Sequence, residues 1–145
     1  MKFVKFLLGL CLATALLSCS KENSKDGSEP LLEVNYNNIS GKWTLEQVNG
    51  KTLLDGTFLE LSLERSEHSF EIVTNLDSFQ DAPHTMSGTY ALSISAEQGA
   101  VIEGKYDHDS GFWSHDYVIE RLSANSMLWV ALDNPELTQF FTRIK

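Results

Sequence analysis

Short apolar and polar stretches alternate along the chain from residue 39 to residue 145, and turn-forming residues separate them. Within several stretches apolar and polar side chains alternate one by one, as in residues 59–63, Leu-Glu-Leu-Ser-Leu. This alternation is typical of β-strands that bury one face, and no helical period or internal repeat competes with it. The pattern predicts eight strands, at residues 40–48, 57–64, 69–74, 85–95, 100–107, 113–123, 126–132 and 138–144.

Turn-forming residues lie between these strands and indicate how the strands pair. Asn49-Gly50 suits a two-residue hairpin, because both positions tolerate a positive φ angle. Eight consecutive strands with short connections favour an antiparallel up-and-down barrel, since closure removes the unpaired edges of the sheet. The predicted fold class is therefore all-β. Residues 75–83 are the longest irregular segment, which we interpret as a lid or a short helix.

The first twenty residues have a different pattern. Lys2 and Lys5 are followed by an apolar run over residues 6–17. A bilayer needs about 20 residues to be spanned, so the run indicates a secretory signal peptide rather than a permanent anchor. Its end, Leu16-Leu17-Ser18-Cys19, resembles the lipobox of bacterial lipoproteins. That resemblance implies a signal peptide of residues 1–18, diacylglycerol on the Cys19 thiol, and an acyl chain such as palmitate on the new amine.

Residues 19–38 are mostly polar and include Gly27 and Pro30, which predicts a flexible tether between the lipid and the barrel. The alternative is that the apolar side chains within residues 31–36 pack onto the barrel. Ser20 after the cysteine resembles the sorting pattern of outer-membrane lipoproteins, and Lys21-Glu22 loosely resembles a surface-export signal. We therefore expect an outer-membrane lipoprotein of the cell envelope and leave open whether it faces the periplasm or the cell surface.

Charge and cysteine content narrow the expected partners. The formal net charge of −9 argues against nucleic-acid binding, which needs a basic face, and against docking on anionic lipid by charge alone. Only Cys11 and Cys19 are present, so the mature domain would have no thiol for a disulfide, a nucleophile or a metal site. The expected partner is the membrane, through Cys19, and the sequence indicates no particular protein partner.

Two positions at opposite ends of the domain resemble the lipocalins. Gly41-Lys42-Trp43 resembles the G-x-W start of the first lipocalin strand, and Arg143 lies where that superfamily has an arginine on the last strand. The resemblance implies that Arg143 lies over Trp43 and closes one end of the barrel. Over residues 39–145 the chain is similar to lipocalin-like lipoproteins of the Bacteroidetes. It departs from typical lipocalins in its shorter length, its lack of a disulfide and its lack of a C-terminal helix.

A second resemblance competes for the fold. Gly41-x-Trp43-x-Leu45, followed by residues 48–51, Val-Asn-Gly-Lys, is similar to the start of the META domain of heat-shock envelope lipoproteins. That family has a Gly-Cys-Asn segment and a later cysteine, and this chain has neither. We rank this resemblance below the lipocalin one.

The residues give little indication of catalysis, and we predict no enzyme, no catalytic residue and no cofactor. His115-Asp116 is adjacent in sequence, but neighbouring strand residues point to opposite faces, so the pair cannot form half of a triad. Asp107, His108 and Asp109 could approach a cation, yet a calcium loop needs more oxygen ligands and a zinc site more nitrogen or sulfur ligands. We interpret this cluster as a hydrated turn and predict no metal site.

The function that the sequence favours is binding of a small apolar or amphiphilic ligand inside the barrel. The negative charge favours neutral or cationic ligands, unless Arg121 or Arg143 points inward to meet a carboxylate. The alternative is a non-catalytic structural or interaction lipoprotein whose aromatic side chains fill the barrel, and a pocket of roughly 300 Å³ or more would separate the two. The candidate ligand contacts inside the barrel are Leu61, Tyr90, Tyr117 and Trp129. Met86 and Trp113 are two further candidates near its mouth.

Overall fold

The structure is a computed structural model, and it describes residues 29–77, 82–108 and 111–145. One short helix, α1 (Tyr36–Ile39), precedes the strands. The strands described are β1 (Gly41–Val48), β2 (Lys51–Thr52), β3 (Leu59–Leu63), β4 (Ser69–Thr74), β5 (His84–Ser95), β6 (Gly99–Tyr106), β7 (Tyr117–Leu122), β8 (Ser126–Ala131) and β9 (Thr138–Arg143).

These strands form a closed antiparallel barrel. Each of β3 to β8 pairs with the next strand in sequence, β1 pairs with β3, and β1 also pairs with β9 to close the sheet. The closing register places Trp43 opposite Arg143 and Leu45 opposite Phe141. The two-residue strand β2 folds back on the end of β1 and is additional to the eight barrel strands. The predicted all-β, eight-stranded up-and-down barrel is therefore confirmed.

The hairpin between β1 and β2 follows the predicted turn chemistry. Asn49 and Gly50 have φ angles of 53° and 73°, as a two-residue hairpin loop requires. The sequence prediction missed β2 itself, because two residues are too few to show any periodicity. It also began the sixth predicted strand, residues 113–123, too early: residues 113–116 form an irregular connection, and β7 starts at Tyr117.

The barrel interior contains the apolar side chains that alternation assigned to the inward faces, including Leu61, Leu63 and Phe70. Strand β8, which is apolar on both faces, buries Met127 and Trp129 inside the barrel and leaves its outward side chains half-buried. Ile94 departs from the expected pattern, because β5 extends beyond the barrel wall and leaves this side chain 66% exposed.

The part of the predicted tether that the structure describes, residues 29–38, does not extend away from the barrel. The backbone N–H of Leu32 donates to the carbonyl of Leu122, and Val34 and Tyr36 pack against the core. The alternative that residues 31–36 pack onto the barrel therefore holds for Val34 and Tyr36, whereas the side chains of Leu31 and Leu32 are exposed. The folded unit begins before residue 39. The signal peptide, Cys19 and residues 78–81 of the predicted lid lie outside the described residues.

Candidate ligand-binding site

The barrel has two different ends, set by the direction of its strands. Residues 29–40 and the end of β9 lie at one end, which we call the N-terminal end. The opposite end, the loop end, has four connections: residues 49–58 after β1, 75–83 after β4, 107–116 after β6 and 132–137 after β8.

Trp43 and Arg143 close the N-terminal end. The guanidinium carbon of Arg143 lies 4.0 Å from the centre of a Trp43 ring, and Trp43 is completely buried. The same guanidinium donates hydrogen bonds from Nε to the Ala124 carbonyl at 2.7 Å, from Nη1 to Ser40 at 2.6 Å and from Nη2 to Asn38 at 2.8 Å. These bonds join the last strand, the β7–β8 turn and the segment before β1 at one point.

Gly41 makes room for this arrangement. Its φ angle is +126°, a conformation that side-chain-bearing residues rarely adopt. A Cβ atom at this position would also fall 2.6 Å from Nη1 of Arg143. The glycine of the G-x-W sequence is therefore required both by its backbone conformation and by the close approach of the arginine.

Tyr90 belongs to the N-terminal end as well, where its hydroxyl donates to the Glu64 carbonyl at 2.9 Å. Its ring packs beside Tyr36, which in turn stacks on His68 at 3.7 Å. Burial, with smaller contributions from Tyr36 and Glu64, raises the pKa of Tyr90 to about 12. Tyr90, one of the six predicted ligand contacts, does not line the cavity described next, and its hydroxyl holds the β3–β4 turn instead.

A cavity of about 170 Å³ lies inside the barrel towards the loop end. Half-buried Met86 and exposed Ser114 are part of its lining, so the cavity reaches the surface there. The complete lining is Leu59, Leu61, Ile72, Met86, Tyr106, Trp113, Ser114, Tyr117, Trp129, Gln139 and Phe141.

An aromatic cluster forms the floor and one wall of this cavity. Trp129 is its centre, with ring centroids 5.7 Å from Trp113, 5.3 Å from Tyr117 and 4.9 Å from Phe141. Trp113 comes from the β6–β7 connection and not from a strand, and its backbone N–H donates to the Gly104 carbonyl.

The indole of Trp113 enters the barrel because β6 has glycine beneath it. A Cβ atom at Gly104 would lie 2.0 Å from Cε2 and 2.4 Å from Nε1 of Trp113. Any larger residue at Gly104 would therefore exclude the indole from its present position. The sequence shows this glycine in the middle of a strand pattern, which is a signal of close approach by another group.

The polar atoms around the cavity are not all satisfied. The indole nitrogens of Trp113 and Trp129 are buried, and neither has a hydrogen-bond partner among the described residues. By contrast, the third indole, that of Trp43, donates to the Ile39 carbonyl at 2.8 Å. A buried N–H without an acceptor costs about 1–3 kcal/mol.

No carboxylate, ammonium, guanidinium or imidazole group is present among the side chains that line the cavity. Burial raises the pKa of Tyr117, with a smaller contribution from the negative charge of Asp133, so this phenol stays neutral at physiological pH. Arg143 is used at the opposite end, and Arg121 is exposed on β7. The sequence condition for an anionic ligand, an arginine pointing into the barrel, is therefore not met.

A shallower depression of about 310 Å³ adjoins the cavity, and Trp113 and Ser114 line both. His115 lies in this depression, with Nδ1 2.7 Å from one carboxylate oxygen of Asp133 and 3.0 Å from the other. The partner of His115 is thus Asp133 across the loop end and not its sequence neighbour Asp116. Within the described residues no group of three or more histidine, cysteine or acidic side chains is arranged to hold a metal.

Each of the four loop-end connections carries a large exposed apolar side chain. Leu54 and Phe112 are the most exposed, at 79% and 65%, and Leu76 and Leu132 are partly exposed. The Lys105 ammonium lies 5.9 Å from the centre of the Phe112 ring. The cavity therefore opens at the end of the molecule where several apolar side chains meet solvent.

The structure brings five of the six predicted ligand contacts to one cavity, Tyr90 being the exception: Leu61, Met86, Trp113, Tyr117 and Trp129. Sequence reasoning did not name Leu59 and Ile72 as ligand contacts, although the alternation of their strands places both side chains on the inward face. Gln139 and Ser114 could not be predicted as cavity residues, because no local sequence pattern shows that a polar side chain faces a cavity.

No protein-family model, no curated protein and no solved structure matches this chain. In the part of the chain that the structure describes, no helix has the length and apolar character needed to cross a membrane.

Proposed function

We propose that this protein is a membrane-anchored envelope lipoprotein whose barrel binds a small apolar or amphiphilic ligand. One observation carries the binding function: an apolar cavity inside the barrel, lined by an aromatic cluster and reached from the loop end. The lipid anchor is supported by the sequence around Cys19, and the lipocalin-like character by the barrel closure through Trp43 and Arg143.

The size of the cavity limits the ligand. Pockets for drug-sized molecules have volumes of roughly 300–1,000 Å³, whereas an apolar cavity of about 150 Å³ accommodates benzene. At about 170 Å³ this cavity suits a single ring, or one end of a longer molecule whose remainder lies across the loop end. An extended fatty acid does not fit inside while Trp113 keeps its present position.

The proposed anchor would place the cavity opening away from the membrane. Glu29 is held at the N-terminal end by Ser123 and Asn125, and Cys19 precedes it by ten residues, which span at most about 36 Å. The closed end of the barrel would therefore face the lipid, and the loop end would face the compartment from which a ligand arrives.

The alternative function, a structural or interaction lipoprotein with a filled barrel, is favoured by a different observation. The rings of Trp113, Trp129 and Phe141 pack together inside the barrel, and the cavity beside them is smaller than most ligand pockets. In that case the exposed side chains of the loop end, Leu54 and Phe112 above all, would contact another protein.

Native mass spectrometry of the protein purified from its own membrane separates the two functions. Ligand binding predicts a co-purifying small molecule that is lost in Met86→Trp, because the larger side chain fills the cavity. Thr85→Trp is the matched control, since Thr85 is the neighbouring, exposed residue of β5. A protein free of any bound molecule, with both variants behaving like the wild type, would favour the interaction function.

Intact-mass analysis tests the anchor independently of the ligand. The mature wild-type protein should begin at Cys19 and carry the mass of diacylglycerol and an acyl chain, and Cys19→Ala should be neither acylated nor retained in the membrane fraction. Cys11→Ala is the control, because that residue lies in the removed leader. An unlipidated mature protein that begins at another residue would overturn the anchor.

A further inference from the structure

We infer that the ligand of the barrel cavity is a small organic cation. Its one apolar ring occupies the cavity, and its ammonium group lies at the mouth, on the side of Asp116 and Asp133. This inference rests on the proposed binding function and deepens it, because it assigns the sign of the ligand's charge and the place where that charge lies.

The cavity shares a wall with the depression of about 310 Å³ at the loop end, because Trp113 and Ser114 line both spaces. Ser114 is exposed, so this shared wall reaches the surface of the molecule. The depression adds four further side chains: His115, Asp116, Leu132 and Asp133. A ligand that fills the apolar cavity and extends past Ser114 therefore enters a space bordered by two carboxylates.

Both carboxylates can be reached from this space. Asp116 is exposed, and the side chain of Asp133 is 64% exposed. His115 holds Asp133 in place, with Nδ1 2.7 Å from Oδ1. The His115 ring in turn lies edge-on to Tyr117, which lines the cavity, with ring centroids 6.1 Å apart. The Asp133 carboxylate is thus fixed one side chain away from the cavity wall.

The negative charge of the loop end acts on the cavity wall itself. Burial is the main cause that raises the pKa of Tyr117, and the charge of Asp133 raises it further. The pKa of Tyr106 is raised in the same way, first by burial and then by Asp77. Both phenols line the cavity. Negative charges that oppose the ionisation of two phenols also attract a cation to the space near them.

The two linings disfavour a ligand of the opposite sign. No lysine or arginine is among the described residues that line the cavity or the depression, and Lys105 lies over the Phe112 ring instead. Trp113 borders both spaces, and the face of an indole attracts a cation. Deeper inside, every lining side chain is neutral, and an unpaired charge would be costly to bury there. The cation therefore stays at the mouth, where water and the carboxylates meet it.

Three benzyl compounds test the inference, because they share the ring and one CH2 group and differ in the group attached: benzylammonium, benzyl alcohol and phenylacetate. The ¹⁵N-labelled mature protein is titrated in phosphatidylcholine nanodiscs, whose lipid has no net charge. We expect the indole resonances of Trp113 and Trp129 to shift and that of Trp43, at the opposite end, to stay in place. Benzylammonium should bind at least about fivefold more tightly than benzyl alcohol, and phenylacetate most weakly. This preference should shrink in about 0.5 M NaCl, because salt screens exposed charges.

Amide substitutions locate the charge. Asp116→Asn and Asp133→Asn keep the size of each side chain and remove its charge. Each should weaken the binding of benzylammonium about threefold, and the double variant about tenfold. Affinity for benzyl alcohol should not change, which also shows that the variants retain the folded cavity. Glu97→Gln is the matched control, because it removes an equal charge from the exposed β5–β6 turn at the N-terminal end.

Each outcome decides a different claim. Equal affinity for benzylammonium and benzyl alcohol would overturn the cationic ligand and leave the proposed binding function standing. Equal weakening of benzylammonium by Glu97→Gln and Asp133→Asn would overturn the placement of the charge, since only the net charge of the protein would then matter. Absence of binding by all three compounds would overturn both the inference and the proposed function. A preference for benzylammonium that depends on Asp116 and Asp133 supports both.

Discussion

Arg143 stabilises the N-terminal end of the barrel with two different parts of one side chain. Its planar face lies on Trp43, and its edge donates to the carbonyls of Asn38, Ser40 and Ala124. A guanidinium can do both at once because its five donors lie in the plane of the group, which a lysine ammonium cannot reproduce.

We predict that Arg143→Ala lowers the free energy of unfolding by about 2–4 kcal/mol, from the lost cation–π contact and three lost charge-assisted hydrogen bonds. Arg143→Lys should recover only part of this, because it keeps the charge but not the planar donors. Urea unfolding measures the change, and the exposed Arg121→Ala, expected to cost less than about 0.5 kcal/mol, is the control. Equal stability of the two alanine variants would show that Arg143 does not hold the barrel closed.

Gly104 and Trp113 show where residue-level prediction from the sequence ends. The pairing of Trp43 with Arg143 could be anticipated, because the G-x-W sequence and the terminal arginine carry a recognisable resemblance. The position of Trp113 could not be anticipated, because it depends on Gly104, nine residues earlier, which leaves space for the indole on β6. Strand alternation predicts which side chains of a strand point into the barrel, but it does not predict which loop side chain enters the interior beside them.

Gly104→Ala should drive Trp113 out of the barrel, because the new methyl group would overlap the indole ring. We expect a loss of about 1–3 kcal/mol in unfolding free energy, typical of overpacking, and a red shift of tryptophan fluorescence as one indole enters water. Gly111→Ala is the matched control, since its Cβ would meet only Tyr106, at 3.7 Å. Unchanged emission from Gly104→Ala would contradict the close packing of this pair.

At the scale of elements, the segment from residue 29 to α1 acts as a strap across the N-terminal end. Glu29 accepts hydrogen bonds from Ser123 and Asn125, and the Tyr36 hydroxyl accepts one from the Leu92 N–H at 3.0 Å. The strap thus contacts the β7–β8 turn and β5, which are distant in sequence. Composition predicted a flexible tether here, because polar residues dominate the segment. Hydrogen bonds to residues far away in the sequence leave no local pattern, so the sequence could not show them.

The strap should loosen in acid. The hydrogen bond from Ser123, followed by those from Asn125, holds the pKa of Glu29 below its ordinary value of 4.5. A lowered folded-state pKa means that the stabilisation is present above pH 4.5 and is lost as the pH falls through the lower value. Glu29→Gln should therefore be less stable than the wild type at neutral pH, and this difference should shrink as the pH falls below 4.5.

Chemical unfolding at neutral pH and at a series of pH values below 4.5 measures this difference. Glu33→Gln is the matched control, because Glu33 lies in the same segment with an exposed side chain and should leave the pH dependence unchanged. A stability gap between Glu29→Gln and the wild type that persists into acid would show that the carboxylate is not the group that holds the strap.

At the scale of the whole molecule, closure of the barrel gives its two ends different roles. The eight barrel strands, their order and most of their boundaries followed from alternation and turn residues, because a closed sheet imposes one inward face on every strand. Cavity volume did not follow, since it depends on how Trp113, Trp129 and Phe141 share the interior. The sequence predicted a small apolar or amphiphilic ligand without a size, and the cavity of about 170 Å³ limits the proposed ligand to about a single ring.

A crystal structure of the mature domain soaked with bromobenzene tests the central claim most directly, because the anomalous signal of bromine locates the ligand. The proposed function predicts one strong peak inside the barrel, between Met86, Leu61 and the ring of Trp129. Met86→Trp should remove that peak and Thr85→Trp should not. A signal confined to the exposed side chains of the loop end, such as Phe112, or no ordered signal at all, would contradict a binding site in this cavity.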